Sequence, residues 1–363
     1  MSQRQAGALT ALFLLGNCLI FGVNTAGGRD SWIALLIAAG VSVPMLCVYA
    51  RLPALYPDHG FFEIIEALLG RAAGSAVTAL LIGFALYSAA YLIRSVNEFV
   101  FINALPEPPY LLFTAAFALA GLYLLCRGSE TIGKWATAGL VLTVFCVVSG
   151  FVFSAREMDF RAFLPVLRRP AGDILRASGQ IAAFPMLQSV LLLPLLEKQG
   201  GAFKPRRALL GGLAAALAVM LLVVAQQFAL LGEYAAQNAP FPSYSALKIV
   251  SAGSFLSRLE KILSGYLLVA ALLHLAVCLN AAQRGLSRLF PIQKPLRSAL
   301  PLLLCAAALS GFIAGDVWGL KALPAVFPWY AAAAGGLVPL LLWIRAELRR
   351  RSQSPKKTGK SFT

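Results

Sequence analysis

Charged residues are scarce in this 363-residue chain, at 13% against 59% hydrophobic ones. A soluble domain cannot hide that much apolar surface, so the composition excludes one and indicates a polytopic membrane protein. Histidine is almost missing: His59 and His274 are the only two, too few for a histidine-built metal centre. No Walker loop, G-x-S-x-G elbow, H-E-x-x-H or pair of catalytic carboxylates occurs, and an intramembrane hydrolase or transferase would need such a constellation. The expectation is a chain that is not an enzyme and holds no cofactor or metal. The six cysteines (Cys18, Cys47, Cys126, Cys146, Cys278, Cys305) form no C-x-x-C pair and read as small apolar packing residues. Only Arg4 supplies a basic end before the first apolar run, and no A-x-A cleavage site follows it. That run is therefore expected to stay as a membrane helix.

What is present is a series of about ten apolar segments, at approximately 6–26, 31–51, 74–104, 109–127, 131–154, 175–196, 206–232, 255–282, 298–315 and 325–345. Most are long enough to cross a core of ~30 Å as helices. The net charge of +16 would suggest nucleic acid in a soluble protein, but its distribution argues otherwise. Arg51, Arg127, Lys204, Arg206, Arg284, Arg288 and the tail residues Arg349 to Lys360 fall on one side of the membrane. Arg29, Lys248, Lys321 and the cluster from Arg156 to Arg176 fall mainly on the other. The positive-inside rule then predicts both termini in the cytoplasm, with a basic tail at 347–363 held to anionic lipid heads. The transmembrane domain is expected to occupy 1–346.

Segments one and six contain residues that a plain membrane helix avoids. The first carries Gly16-Asn17-Cys18 and then Gly22-Val23-Asn24; the sixth carries Gln180, Phe184-Pro185 and Gln188. An unpaired backbone group in lipid costs several kcal/mol, so interruptions at matching positions point to a binding site between two halves. Five segments on each side of the polar stretch 155–174 give an inverted repeat, with repeat 1 at about 6–154 and repeat 2 at about 175–345. The stretch 155–174 itself, with its Phe and Leu spacing, is expected to lie on the outer surface. A short interfacial helix ended by Gly70 is expected within 52–73.

Other polar groups divide between structure and function. Arg94 and Glu98 lie one turn apart and can neutralise each other, or can gate or bind. Arg258 and Glu260 open segment eight at headgroup depth, where an ion-pair network is the plainer role. Tyr87 and Tyr91 can line a cavity or anchor at the interface, and Tyr266 lies deeper in segment eight, two turns from His274. His274 reads more readily as hydrogen-bonded to a neighbouring helix than as a proton carrier.

Several stretches in order resemble the spore germination permeases, the B subunits of nutrient germinant receptors, within the amino acid-polyamine-organocation transporter superfamily. They include Gly27-Gly28-Arg29-Asp30-Ser31-Trp32, Ile93-Arg94 with Glu98-Phe99, and Gly128-Ser129-Glu130. Further on come Phe163-Leu164-Pro165-Val166, Phe241-Pro242-Ser243-Tyr244 and Phe255-Leu256-Ser257-Arg258-Leu259-Glu260. The resemblance implies an all-α, LeuT/APC-like fold of about ten transmembrane helices in a five-plus-five inverted repeat, with helices 1 and 6 broken. It implies a subunit of the spore inner membrane that binds a small germinant, often an amino acid, beside A-type and C-type subunits, and so triggers germination. The ligand would be met by Gly16, Asn17, Cys18, Gly22, Tyr91, Gln180, Phe184, Pro185, Gln188 and Tyr266. Its carboxylate would face amides near Gly16-Asn17 and Phe184-Pro185, with Phe184 as a gate, while Arg94, Glu98, Arg258 and Glu260 would form gating or ion pairs. The alternatives are a secondary amino-acid transporter and an ion or water conduit of a larger complex.

Overall fold

The computed structural model describes residues 1–21, 25–103, 110–197, 203–250, 256–290, 292, 295–323 and 327–353. Every regular element among them is helical: α1 (Gln3–Phe21), α2 (Ser31–Leu55), α3 (Phe61–Leu69), α4 (Arg71–Asn103), α5 (Tyr110–Ser154), α6 (Ala171–Ile181), α7 (Leu193–Leu196), α8 (Pro205–Asn238), α9 (Pro242–Val250), α10 (Leu256–Leu289), α11 (Pro295–Phe312), α12 (Val317–Ala322), α13 (Phe327–Ala331) and α14 (Val338–Gln353). Seven of the described helices are long and apolar enough to cross a membrane. Backbone groups satisfied within each helix are what the apolar medium demands.

At the centre stands α1. Leu12, Phe13, Leu14 and Leu15 are all buried in succession, so the helix is apolar on every side and enclosed on every side. It packs against α5, α8 and α10, and against the irregular segment that follows α6. By contrast α5 presents Val141, Phe145, Val152 and Phe153 outward, as a lipid-facing surface does.

The 45 residues of α5 would span roughly 68 Å if straight, more than twice a membrane core. Gly128 bends it, at φ 83° and ψ 173°, a conformation that side chains resist. The bend at Gly128 separates the expected segments four and five. Just beyond the bend Glu130 pairs with Lys134 at 2.8 Å, four residues on. A second such glycine, Gly232 (φ 71°), turns the last residues of α8 aside.

One expectation is corrected. The interruption expected at Gly16-Asn17-Cys18 does not occur, because α1 runs unbroken through these residues to Phe21. Their amides belong to a helical ladder, and Gly22 lies outside the described residues. Helix α14 continues to Gln353, and residues 354–363 of the expected tail lie outside the described part. The short helix expected before Gly70 is α3. Its N-terminus is met by Glu63, which accepts from Gly60 N at 2.6 Å. Arg345 and Arg349 donate to the carbonyls of Ala67 and Leu68 at the other end. Acid at the first turn and base at the last both suit its dipole.

Candidate functional site

The sixth apolar segment breaks where its proline predicts. After α6, residues 182–186 widen into a π-type turn in which Phe184 is extended (φ −136°, ψ 113°), and residues 187–192 tighten into a 3-10 turn before α7. Pro185 has no N–H to give and clashes with a preceding carbonyl, so the α ladder cannot continue. The break leaves Phe184 half-buried and directed at other aromatics. Its ring meets Tyr91 edge-on at 5.6 Å and Phe327 edge-on at 5.1 Å. Tyr87 stacks on Phe327 at 5.6 Å, and Phe84 contacts both Phe327 and Tyr330. An aromatic seal therefore joins α4, the break and α13, with each edge-to-face pair worth about 0.5–1.5 kcal/mol beyond its buried area.

Beneath the seal the backbone of the break is clamped. Tyr49 of α2, fully buried, donates to the carbonyls of Leu187 at 3.1 Å and of Gly335. Gly335 lies in a π-type turn at 332–337, between α13 and α14. A Cβ at Gly335 would stand 2.3 Å from the Leu187 oxygen, so only glycine lets the two irregular segments touch backbone to backbone. Sequence reading missed Tyr49: a single tyrosine in an apolar run carries no sign that its partners lie at 187 and 335.

Gln188 is the most informative side chain of the break. It is wholly buried, and among the described residues neither its oxygen nor its nitrogen has a hydrogen-bond partner. A buried group left unpaired costs about 1–3 kcal/mol, and buried polar groups in native proteins are in the great majority paired. His274 of α10 is similar on one edge. Its Nδ1 lies 2.9 Å from the Phe13 oxygen, and its ring stacks on Phe13 at 4.1 Å, while Nε2 has no partner among the described residues. Gly16 makes room for this imidazole: a Cβ there would lie 2.7 Å from His274 Nδ1. The glycine that looked like a helix break is a packing contact.

The remaining predicted residues separate into groups. Cys18, Tyr91, Pro185 and Tyr266 are buried, and Gln180 is half-buried at the end of α6. Tyr91 also reaches the Leu320 oxygen at 3.5 Å. The side chains of Asn17, Arg258 and Glu260 lie outside the described part. Arg94 and Glu98 do pair, at 2.7 Å, and Arg94 donates to the Gly315 oxygen at 3.0 Å. They tie α4 to the connection before α12, one turn from Tyr91.

Charge is kept to the ends. At one end, Asp30 accepts from the amides of Leu167 (2.8 Å) and Arg169 (3.4 Å). Arg29 and Arg169 both pair with Glu233 at 2.8 Å, beyond the turn at Gly232. These contacts hold the 155–170 connection against the start of α2. Nearby, Lys321 donates to the carbonyls of Gln237 and Ala239, and burial draws its ammonium below the ordinary lysine value. At the opposite end Glu197, after α7, accepts from Phe61 N and from Arg284 of α10, and Arg288 pairs with Glu66 of α3. A polar cleft of about 340 Å³ lies there, lined by Gly60, Phe62, Glu63, Glu197, Gln283, Arg284, Ser287 and Arg288. Among the described buried side chains no Lys, Arg or Glu occurs, and Asp30 is the one carboxylate. Among the described residues no cluster could hold a metal ion.

This geometry has relatives. MhsT in complex with L-phenylalanine superposes with a TM-score of 0.63 at 14% identity, covering 95% of this chain and 88% of that one. A manganese transporter from Eremococcus coleocola gives 0.62 at 15% identity, over 99% of this chain and 88% of that one. These are transporters of the LeuT-like fold, and the likeness concerns fold alone. Spore germination protein KB of Bacillus subtilis (strain 168) is 24% identical, across 98% of this chain and 97% of that protein. Spore germination protein XB of Bacillus anthracis is 22% identical over 64% of the chain and 65% of its own length. The sequence profile described as spore germination protein matches residues 1–313. With that match spanning most of an all-helical, LeuT-like membrane chain, the protein belongs to the spore germination permease family.

Proposed function

We propose that this chain is the ligand-sensing membrane subunit of a nutrient germinant receptor, binding a small molecule, an amino acid by preference, at the break between α6 and α7. The observation that carries this reading is Gln188, buried without a partner at the point where the α ladder fails. A zwitterionic ligand would use that amide and the backbone groups released between residues 182 and 192, since its two charges can be met by oriented dipoles in a site without charged side chains. The expected contribution of Gly16-Asn17 amides is dropped, because α1 is continuous there. Phe184 closes the site from above by its contacts with Tyr91 and Phe327.

In this reading ten segments form two inverted halves, at about 6–154 and 175–345, within one transmembrane domain. The Glu197 end faces the cytoplasm with both termini, in the spore inner membrane. Ligand binding favours one arrangement of the halves, and A-type and C-type subunits read the shift and trigger germination. That the structural relatives are transporters supports a second reading, in which the same site moves an amino acid across the membrane.

A thermal-shift screen of the purified full chain against L-amino acids, sugars and nucleosides tests the ligand class. A true ligand at a hundred times its dissociation constant should stabilise by about 2.7 kcal/mol. No shift with any amino acid would overturn the assignment. Uptake of the labelled ligand into proteoliposomes holding this chain alone would favour the transporter over the receptor.

A further inference from the structure

Away from the break, a groove of about 650 Å³ opens on the membrane-facing side between α2, α8 and α14. Pro44, Met45, Cys47, Val48, Ala50, Ala54, Leu340 and Trp343 line it, and Arg51, Arg206 and Glu347 stand at its mouth. Along α2 the lining from Pro44 to Ala54 rises about 15 Å. The mouth lies at the ends of three candidate spans: Arg51 near the end of Gly27–Leu55, Arg206 at the start of Pro205–Asn238, and Glu347 near the end of Phe327–Arg351. Apolar walls thus sit at hydrocarbon depth and the guanidinium groups at headgroup depth.

Glu347 neutralises one of these arginines, through a 3.0 Å contact with Arg51. Arg206 is exposed and makes no ion pair among the described residues. Arg207 follows it, and Arg350 lies one turn beyond Glu347. The mouth therefore keeps a positive excess beside a slot wide enough for hydrocarbon. A passing helix would fill the slot but leave Arg206 without a counter-charge; a zwitterionic lipid would fill it without the charge match.

We infer that this groove is a binding site for one anionic phospholipid, its acyl chain lying along α2 between Leu340 and Trp343 and its phosphate held by Arg206 and Arg51. Basic pockets between membrane helices gain about 1 kcal/mol per Lys or Arg from an anionic headgroup, roughly fivefold in affinity. The site couples the start of α8 and the Leu340–Glu347 stretch of α14 to α2, whose Tyr49 clamps the break, and it lies on the opposite surface of α2 from that clamp.

Native mass spectrometry of the full chain in detergent, titrated with phosphatidylglycerol or phosphatidylcholine of equal chain length, tests the site. The expected result is a phosphatidylglycerol adduct favoured about tenfold or more. It should weaken about fivefold in Arg206→Gln and further in Arg51→Gln/Arg206→Gln, both changes at exposed positions. Cys47→Trp, one turn deeper than Arg51 in the lining, keeps every charge but obstructs the slot and should lose the adduct too. Equal adducts of the two lipids would overturn the inference. So would retention of binding in Cys47→Trp, which would reduce the effect to surface charge, or full competition by glycerol phosphate, which has no chain to place in the groove.

Discussion

Asp30 and Gln188 are both fully buried, yet their surroundings are opposites. Asp30 is an acid, and both of its oxygens accept from the backbone of the 155–170 connection. Gln188 is a neutral amide, and neither of its polar atoms is paired among the described residues. The same contrast separates whole regions. At the two ends, Glu233, Glu197, Glu66 and Glu347 each have an arginine partner, while the middle holds neutral groups with unused hydrogen-bonding capacity. The ends are built for stability and connection. In the proposed reading the break gives up stability for a ligand that completes the bonding.

Substitutions can break this contrast from either side. The largest loss is expected from Asp30→Ala, which strands two backbone amides and should cost about 3 kcal/mol. Thermal unfolding in detergent should fall by several degrees while ligand affinity, measured by titration, stays put. Gly335→Ala forces a methyl against the Leu187 carbonyl and should cost about 1–3 kcal/mol. Because it displaces the break itself, it should also weaken binding, and a variant that loses stability with affinity intact would count against a site at residues 182–192. Tyr49→Phe removes the clamp's hydrogen bonds at a cost of about 1 kcal/mol, with a smaller drop in affinity. Phe184→Leu keeps an apolar group but loses both edge-to-face contacts, about 1 kcal/mol. Its mark should be faster ligand release in stopped-flow experiments, with association little changed.

Parts of this arrangement were readable before the structure. Pro185 within an apolar run announced the break, because proline cannot donate to the ladder whatever surrounds it. Arg94 with Glu98 followed from their spacing of four. Gly70 marked the end of α3. The reading failed where the reason for a residue lies far along the chain. Gly16 resembled a helix interruption, but its partner is His274, and a lone glycine in an apolar helix does not tell packing from breaking. Tyr49 and Gly335 meet only through the break. Gln188 stood out as polar in an apolar segment, but whether it was paired was a question that only three-dimensional neighbours answer.

Gln188→Met tests the central claim most directly, because it nearly preserves shape while removing the unpaired amide. If the amide is held in reserve for a ligand, the ligand-free variant should unfold at a higher temperature than the wild type, by the equivalent of about 1–3 kcal/mol. The amino-acid-induced stabilisation should be lost in the same preparation. A variant that is less stable without ligand, and still shifts fully when the amino acid is added, would contradict the account.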